Sequence, residues 1–85
     1  MSEAETYAEL TKVFRQVFDD DAISLQPQTT AEDIPGWDSQ AHITLAVATE
    51  AHFGITFRTA ELERLKNVRE FVELIELKRT TVRPQ

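Results

Sequence analysis

Gly36-Trp37-Asp38-Ser39-Gln40-Ala41-His42 is the stretch on which the reading turns, because a long irregular segment ends there and a helical run begins. Asp38 and Ser39 both suit a helix start, since each offers a short side-chain oxygen to the unpaired N–H groups of a first turn. A helix start also presents free amides at the positive end of its dipole, so an anion held there is stabilised. A phosphate ester on the Ser39 hydroxyl would meet that condition. Gly36 frees the backbone to turn, Trp37 can pin the turn by packing, and Asp38 can cap the helix or hold a metal ion while Ser39 is modified. From these two residues alone, capping without chemistry is the commoner meaning of Asp-Ser before an apolar run.

Downstream, residues 39–53 predict the second helix of the chain, favoured by Ala41, Ala46, Ala48 and Ala51 and closed by Gly54 as a left-handed C-cap. Ile43, Leu45, Val47 and Phe53 fall all round the helical wheel, so the pattern predicts an element buried by several neighbours at the centre of a bundle. Upstream, Ser2 and Glu5 have capping-box spacing, and Tyr7, Leu10, Val13, Phe14, Val17 and Phe18 make one apolar face of a first helix. Asp19-Asp20-Asp21 would oppose the negative end of its dipole, so it should stop near Phe18. The long connection over residues 19–38 carries Ile23, Leu25, Ile34 and Trp37 as anchors and Pro27 and Pro35 as stiffeners, which predicts an ordered surface loop crossing the bundle. A strand over residues 22–25 would have no β-rich partner. Thr59 is the expected cap of a short third helix bearing Leu62 and Leu65, and Asn67 with Glu70 that of a fourth, with Val68, Phe71, Val72 and Ile75 turned inward. Residues 1–79 form one domain in this reading, and 80–85 a flexible tail.

Composition narrows the function classes. The chain has 85 residues, too few for a large enclosed active site, and its 41% hydrophobic and 28% charged content is that of a folding domain and not of a disordered one. There is no cysteine, so no disulfide framework and no thiolate ligand; any thiol used in function must come from a cofactor. No apolar run approaches membrane-spanning length, and the N-terminus lacks the pattern of a secretion signal, which makes the cytoplasm the expected location. Net charge is −6, against binding nucleic acid or an anionic membrane and in favour of basic protein surfaces. The acidity is concentrated before Ser39, where two basic residues face nine acids.

Residue spacing and chain length speak against a metal site and a hydrolase. His42 and His52 are about 15 Å apart along one helix and cannot share an ion, so both are expected to face solvent or a partner. The aspartates at 19–21 lack the glycine and spaced ligands of a calcium loop. Ser39 and His42 stand one turn apart, as a nucleophile and base would, but a chain this small supplies no evident substrate pocket or oxyanion hole.

Asp38-Ser39, the following Ile43, Leu45 and Val47, and the ending Glu50-Ala51-His52-Phe53-Gly54-Ile55 together resemble the acyl carrier protein family over roughly residues 7–78. The resemblance implies an all-α four-helix bundle with a long loop between the first two helices and a short third helix, of about 15, 15, 6 and 11 residues. It implies a carrier and not an enzyme: 4'-phosphopantetheine esterified to Ser39, with Asp38 as the adjacent motif residue, and acyl groups carried as thioesters. The implied partners are a phosphopantetheinyl transferase using coenzyme A and a metal ion, and enzymes of fatty acid or polyketide biosynthesis that load, transfer or condense acyl groups. A monomer is expected. Trp37, Gln40, Ile43, Thr44 and Val47 are the expected partner-facing residues, and small Ala46, Ala48 and Ala51 would leave room for an acyl chain. Gln40 stands where the family has leucine, which points to a specialised pathway. A small helical interaction module with no prosthetic group is the alternative.

Overall fold

The computed structural model describes residues 2–81, and these form an all-helical bundle. Helix α1 spans Glu3–Phe18, α2 Ser39–Phe53, α3 Thr59–Glu63 and α4 Val68–Thr81, with a single 3-10 turn at Ala31–Asp33 inside the long first loop. Among the described residues there is no strand.

Helix α1 starts as its sequence predicts. The Ser2 hydroxyl accepts from the Glu5 amide at 3.2 Å, and the Glu5 carboxylate accepts from the Ser2 amide at 2.8 Å. It ends at Phe18, where Asp19 takes a left-handed conformation. Leu10, Val13 and Phe14 are buried, with Tyr7, Val17 and Phe18 packed around them. Phe14 lies among aromatic rings, 6.3 Å from Phe71 on α4 and edge-on to Trp37 at 5.1 Å.

This helix, and not α2, is the centre of the bundle, because α1 packs against both α2 and α4. Helix α2 buries only Leu45, Ala46, Thr49 and Phe53, while Ile43 and Val47 are 63% and 59% exposed. Its even spread of apolar residues reflects two faces with different uses: one for the core, one turned outward. Gly54 closes it with φ of 70°.

The first loop is anchored as expected, with Ile23 and Ile34 buried and Leu25 and Trp37 packed on the core. The Arg15 side chain donates to the Ile23 carbonyl at 3.0 Å. The loop also has a task that its sequence does not advertise. The carbonyls of Thr29 and Pro27 accept from the amides of Val68 and Arg69 at 2.8 and 2.9 Å, satisfying the first turn of α4 from across the molecule. Asn67 caps the same helix, its side chain accepting from the Glu70 amide at 2.9 Å, and Val68, Phe71, Val72 and Ile75 are buried.

Two boundaries differ from the sequence reading. Thr59 is the first residue of α3 and Arg58 its cap position, because the Arg58 amide is taken by the Glu61 carboxylate at 2.8 Å; Leu65 falls beyond the helix but still packs on the core. Helix α4 runs to Thr81, two residues past the expected end of the domain, and the rest of the expected tail, 82–85, lies outside the described residues.

Candidate functional site

Ser39 is the first residue of α2, and it is exposed. Asp38 is the N-cap: its carboxylate accepts from the Ala41 amide at 2.9 Å and its carbonyl from the His42 amide at 2.8 Å. The amides of Ser39 and Gln40 precede the first intrahelical bond, and both residues are exposed. The turn feeding this start is set by Gly36, whose φ of 89° a side chain would strain.

Beside Ser39 a groove of ≈ 700 Å³ opens between α2 and α3, with Trp37, His42, Ile43, Leu62, Leu65 and Phe71 among its walls. Ser39 is exposed and Phe71 is 1% exposed, so the groove leads from the rim inward to the core. Ala46, Ala48 and Ala51 do not line it, contrary to the expectation that small residues would leave room; Ala46 is core and Ala51 faces outward.

His42 is half-buried and does not face solvent freely, whereas His52 is exposed, as expected. The Trp37 indole N–H donates to His42 Nδ1 at 3.0 Å, His42 Nε2 meets the Leu62 carbonyl at 3.1 Å, and the two rings stack at 5.9 Å. Both His42 nitrogens are thus committed away from Ser39, and the nucleophile and base pairing does not form. His52 Nε2 pairs instead with the Glu9 carboxylate at 2.7 Å, joining α2 to α1. The sequence held a hint of the first contact, two polar-tipped rings five residues apart, but none of a carbonyl twenty residues away. Among the described residues no three His, Cys, Asp or Glu side chains cluster in a way that could hold a metal ion.

Of the other expected partner-facing residues, Gln40, Ile43, Thr44 and Val47 are exposed on one outward side of α2. Gln40 and Thr44 border a second, shallower depression with Val17 and Asp38. Trp37 is set apart, half-buried against Phe14. Glu50, the single acid of the helix, is not free on that side: its carboxylate accepts from the Phe57 amide at 2.6 Å.

The sequence model of the family described as "Phosphopantetheine attachment site" matches residues 8–75. The chain belongs to that family. It is also similar to the solution NMR structure of a holo acyl carrier protein from Geobacter metallireducens, with 48% identity over 86% of this chain and 84% of that one and a TM-score of 0.81. No curated protein matches. The chain is therefore an acyl carrier protein, a carrier and not an enzyme, whose cofactor is a covalently attached 4'-phosphopantetheine. Both the hydrolase and the module without a prosthetic group are set aside by that membership. No helix among the described residues is long and apolar enough to cross a membrane.

Proposed function

We propose that Ser39 is the residue that carries the phosphopantetheine arm, and that this carrier serves a specialised biosynthetic pathway in the cytoplasm, where coenzyme A and its transferase meet. The observation that supports it is the placement of an exposed serine as the first residue of α2, at the positive end of the helix dipole and with a groove at its side. The residues present fit the group. The Ser39 and Gln40 amides and the dipole of α2 favour the negative phosphate, and Asp38 holds the helix start so that the hydroxyl stays at the rim. The arm supplies the thiol that a chain without cysteine lacks, and with it the thioester bond to an acyl group.

The remaining work of this chain is presentation. A bundle held by α1 offers the arm at one end of α2 and, along the same helix, Gln40, Ile43, Thr44 and Val47 as the docking side for the transferase and for loading, transfer or condensing enzymes. Tethering makes each encounter effectively intramolecular once docking has occurred. Co-expression with a broad-specificity phosphopantetheinyl transferase, read by intact-mass and peptide mass spectrometry, tests the reading. The expected result is one phosphopantetheine adduct on Ser39 and none on Ser39→Ala; an adduct that survives on the variant overturns the assignment.

A further inference from the structure

The groove beside Ser39 is unevenly charged. Asp38 and Glu63 bring carboxylates to its lining, and Lys66 is the one Lys or Arg there among the described residues. The Asp38 carboxylate is occupied with the Ala41 amide, and both nitrogens of the His42 ring are taken up by Trp37 and the Leu62 carbonyl. Lys66 is exposed, and among the described residues its ammonium enters no ion pair. Its backbone, by contrast, is held. The Lys66 amide donates to the Glu70 carboxylate at 2.8 Å, and the Val68 amide donates to the Thr29 carbonyl at 2.8 Å. The second bond seats the start of α4 beside the loop that supplies Ala31 to the same groove. A cation with a free head and a flexible four-carbon stem thus borders the groove that Ser39 borders.

We propose that Lys66 is a positioning residue for the prosthetic arm: its ammonium pairs with the phosphodiester on Ser39 and holds the root of the arm on the groove side of α2. The inference rests on the carrier reading and adds to it a residue far from Asp38-Ser39 in sequence. The need for a cation arises on modification. A phosphodiester places a second anion next to Asp38, on a groove that already carries Glu63, and like charges in proximity repel. The dipole of α2 offsets part of this, but it acts along the helix axis and favours the phosphate equally on any side of the helix. Lys66 breaks that symmetry. It lines the groove and not the shallower depression that Gln40 and Thr44 border, so pairing turns the arm toward the groove and away from the opposite flank of α2.

Apo and holo forms of the parent, Lys66→Met and Arg64→Met make a cycle in which modification is one change and loss of a cation the other. Arg64 is exposed and two residues from Lys66 but does not line the groove, so it matches the loss of charge without the placement. Lys66→Met should lower the Tm of the holo protein by about 2–4 °C more than that of the apo protein, and the difference should vanish in about 1 M salt, where exposed charges are screened. The phosphorus NMR resonance of the arm should move in Lys66→Met, and should stay near its parent position in Arg64→Met and Lys66→Arg. A resonance unmoved by Lys66→Met overturns the proposal, as does one that Arg64→Met moves as far. Failure of the carrier reading shows separately, as an unmodified Ser39 in the mass spectrum, and the pairing is then decided without the arm. The protein has no cysteine, so Ser39→Cys introduces a unique thiol, which iodoacetate converts to a carboxylate standing in for the phosphodiester charge and iodoacetamide to a neutral group of nearly the same shape. Relative to the neutral group, the anion should leave a higher Tm with Lys66 present than with Lys66→Met; an equal Tm difference in the two backgrounds overturns the proposal.

Discussion

Asp38 and Ser39 divide a task that either could have performed. The carboxylate caps α2 and the hydroxyl is left free, so the cap and the proposed attachment point should respond differently to substitution. Asp38→Ala should cost about 1 kcal/mol, a fall in Tm of roughly 4–8 °C in thermal unfolding, whereas Ser39→Ala should unfold within about 0.5 kcal/mol of the parent. Equal losses would mean that Ser39 shares the cap. Gln40 stands in the next position, exposed, and with the arm on Ser39 as proposed, an enzyme reaching for it would pass Gln40. A leucine there offers apolar area that a general carrier-dependent enzyme can bury, while glutamine asks for hydrogen bonds. Gln40→Leu should therefore raise turnover by general fatty-acid enzymes by up to about tenfold, equivalent to roughly 1.4 kcal/mol of docking energy. Unchanged turnover would remove the argument for specialisation. The cap was legible because Asp-Ser before an apolar run has a local physical meaning. His42 was not, since its bond to the Leu62 carbonyl depends on how α3 is laid against α2, and no local pattern encodes that.

Helix α2 shows how one pattern can carry two meanings. Apolar residues all round a helix suggest burial on all sides, and here half of them, Ile43 and Val47, are surface. What distinguishes the readings is the length of the neighbouring elements: α3 is a five-residue turn and cannot cover the outer side of a fifteen-residue helix. That exposed side carries no charge, and Glu50 is held by the Phe57 amide. Docking along it should accordingly depend on apolar contact. Loading by the transferase should change less than about threefold between low and physiological salt, and Val47→Ala should lower kcat/KM by up to about tenfold. A steep salt dependence with an unchanged Val47→Ala variant would place docking elsewhere. The end of α2 was fully legible, because Gly54 adopts the left-handed conformation its position calls for, with open space around it. Gly54→Ala should meet no steric clash and still lose about 1 kcal/mol in denaturant unfolding, from backbone strain alone.

Across the molecule, helix number, order and core faces could be read from periodicity and caps, because these are encoded within each segment. The way the segments hold one another could not. Backbone carbonyls of Thr29 and Pro27 have no side-chain signature, yet they complete the start of α4. The carboxylates that join elements were likewise visible only as charges. Glu61 on α3 pairs with Lys78 on α4 at 2.8 Å, and Glu9 on α1 pairs with Lys12 at 2.9 Å and with His52 on α2 at 2.7 Å. The hydrogen bond from Lys78, and after it the Arg58 amide, holds the Glu61 carboxyl below the usual glutamate range; Lys12, and after it His52, does the same for Glu9. In the unfolded chain both groups take up protons at their ordinary, higher values. Between the two values the unfolded state binds more protons, so stability rises with pH there. The contribution is complete above the ordinary glutamate value of about 4.3 and is lost as pH falls through the lower folded values. The Glu61 pair should weigh more, because Lys78 is 17% exposed whereas Lys12 is 65% exposed and screened by water. Thermal unfolding from pH 7 down to pH 2 should therefore show a smaller acid-induced drop in Tm for Glu61→Gln than for the parent, with Glu9→Gln in between. Parallel curves for parent and Glu61→Gln would show that the tie between α3 and α4 does not contribute to acid sensitivity, and would leave Glu5, held low by the Ser2 amide at the start of α1, as the carboxylate to test next.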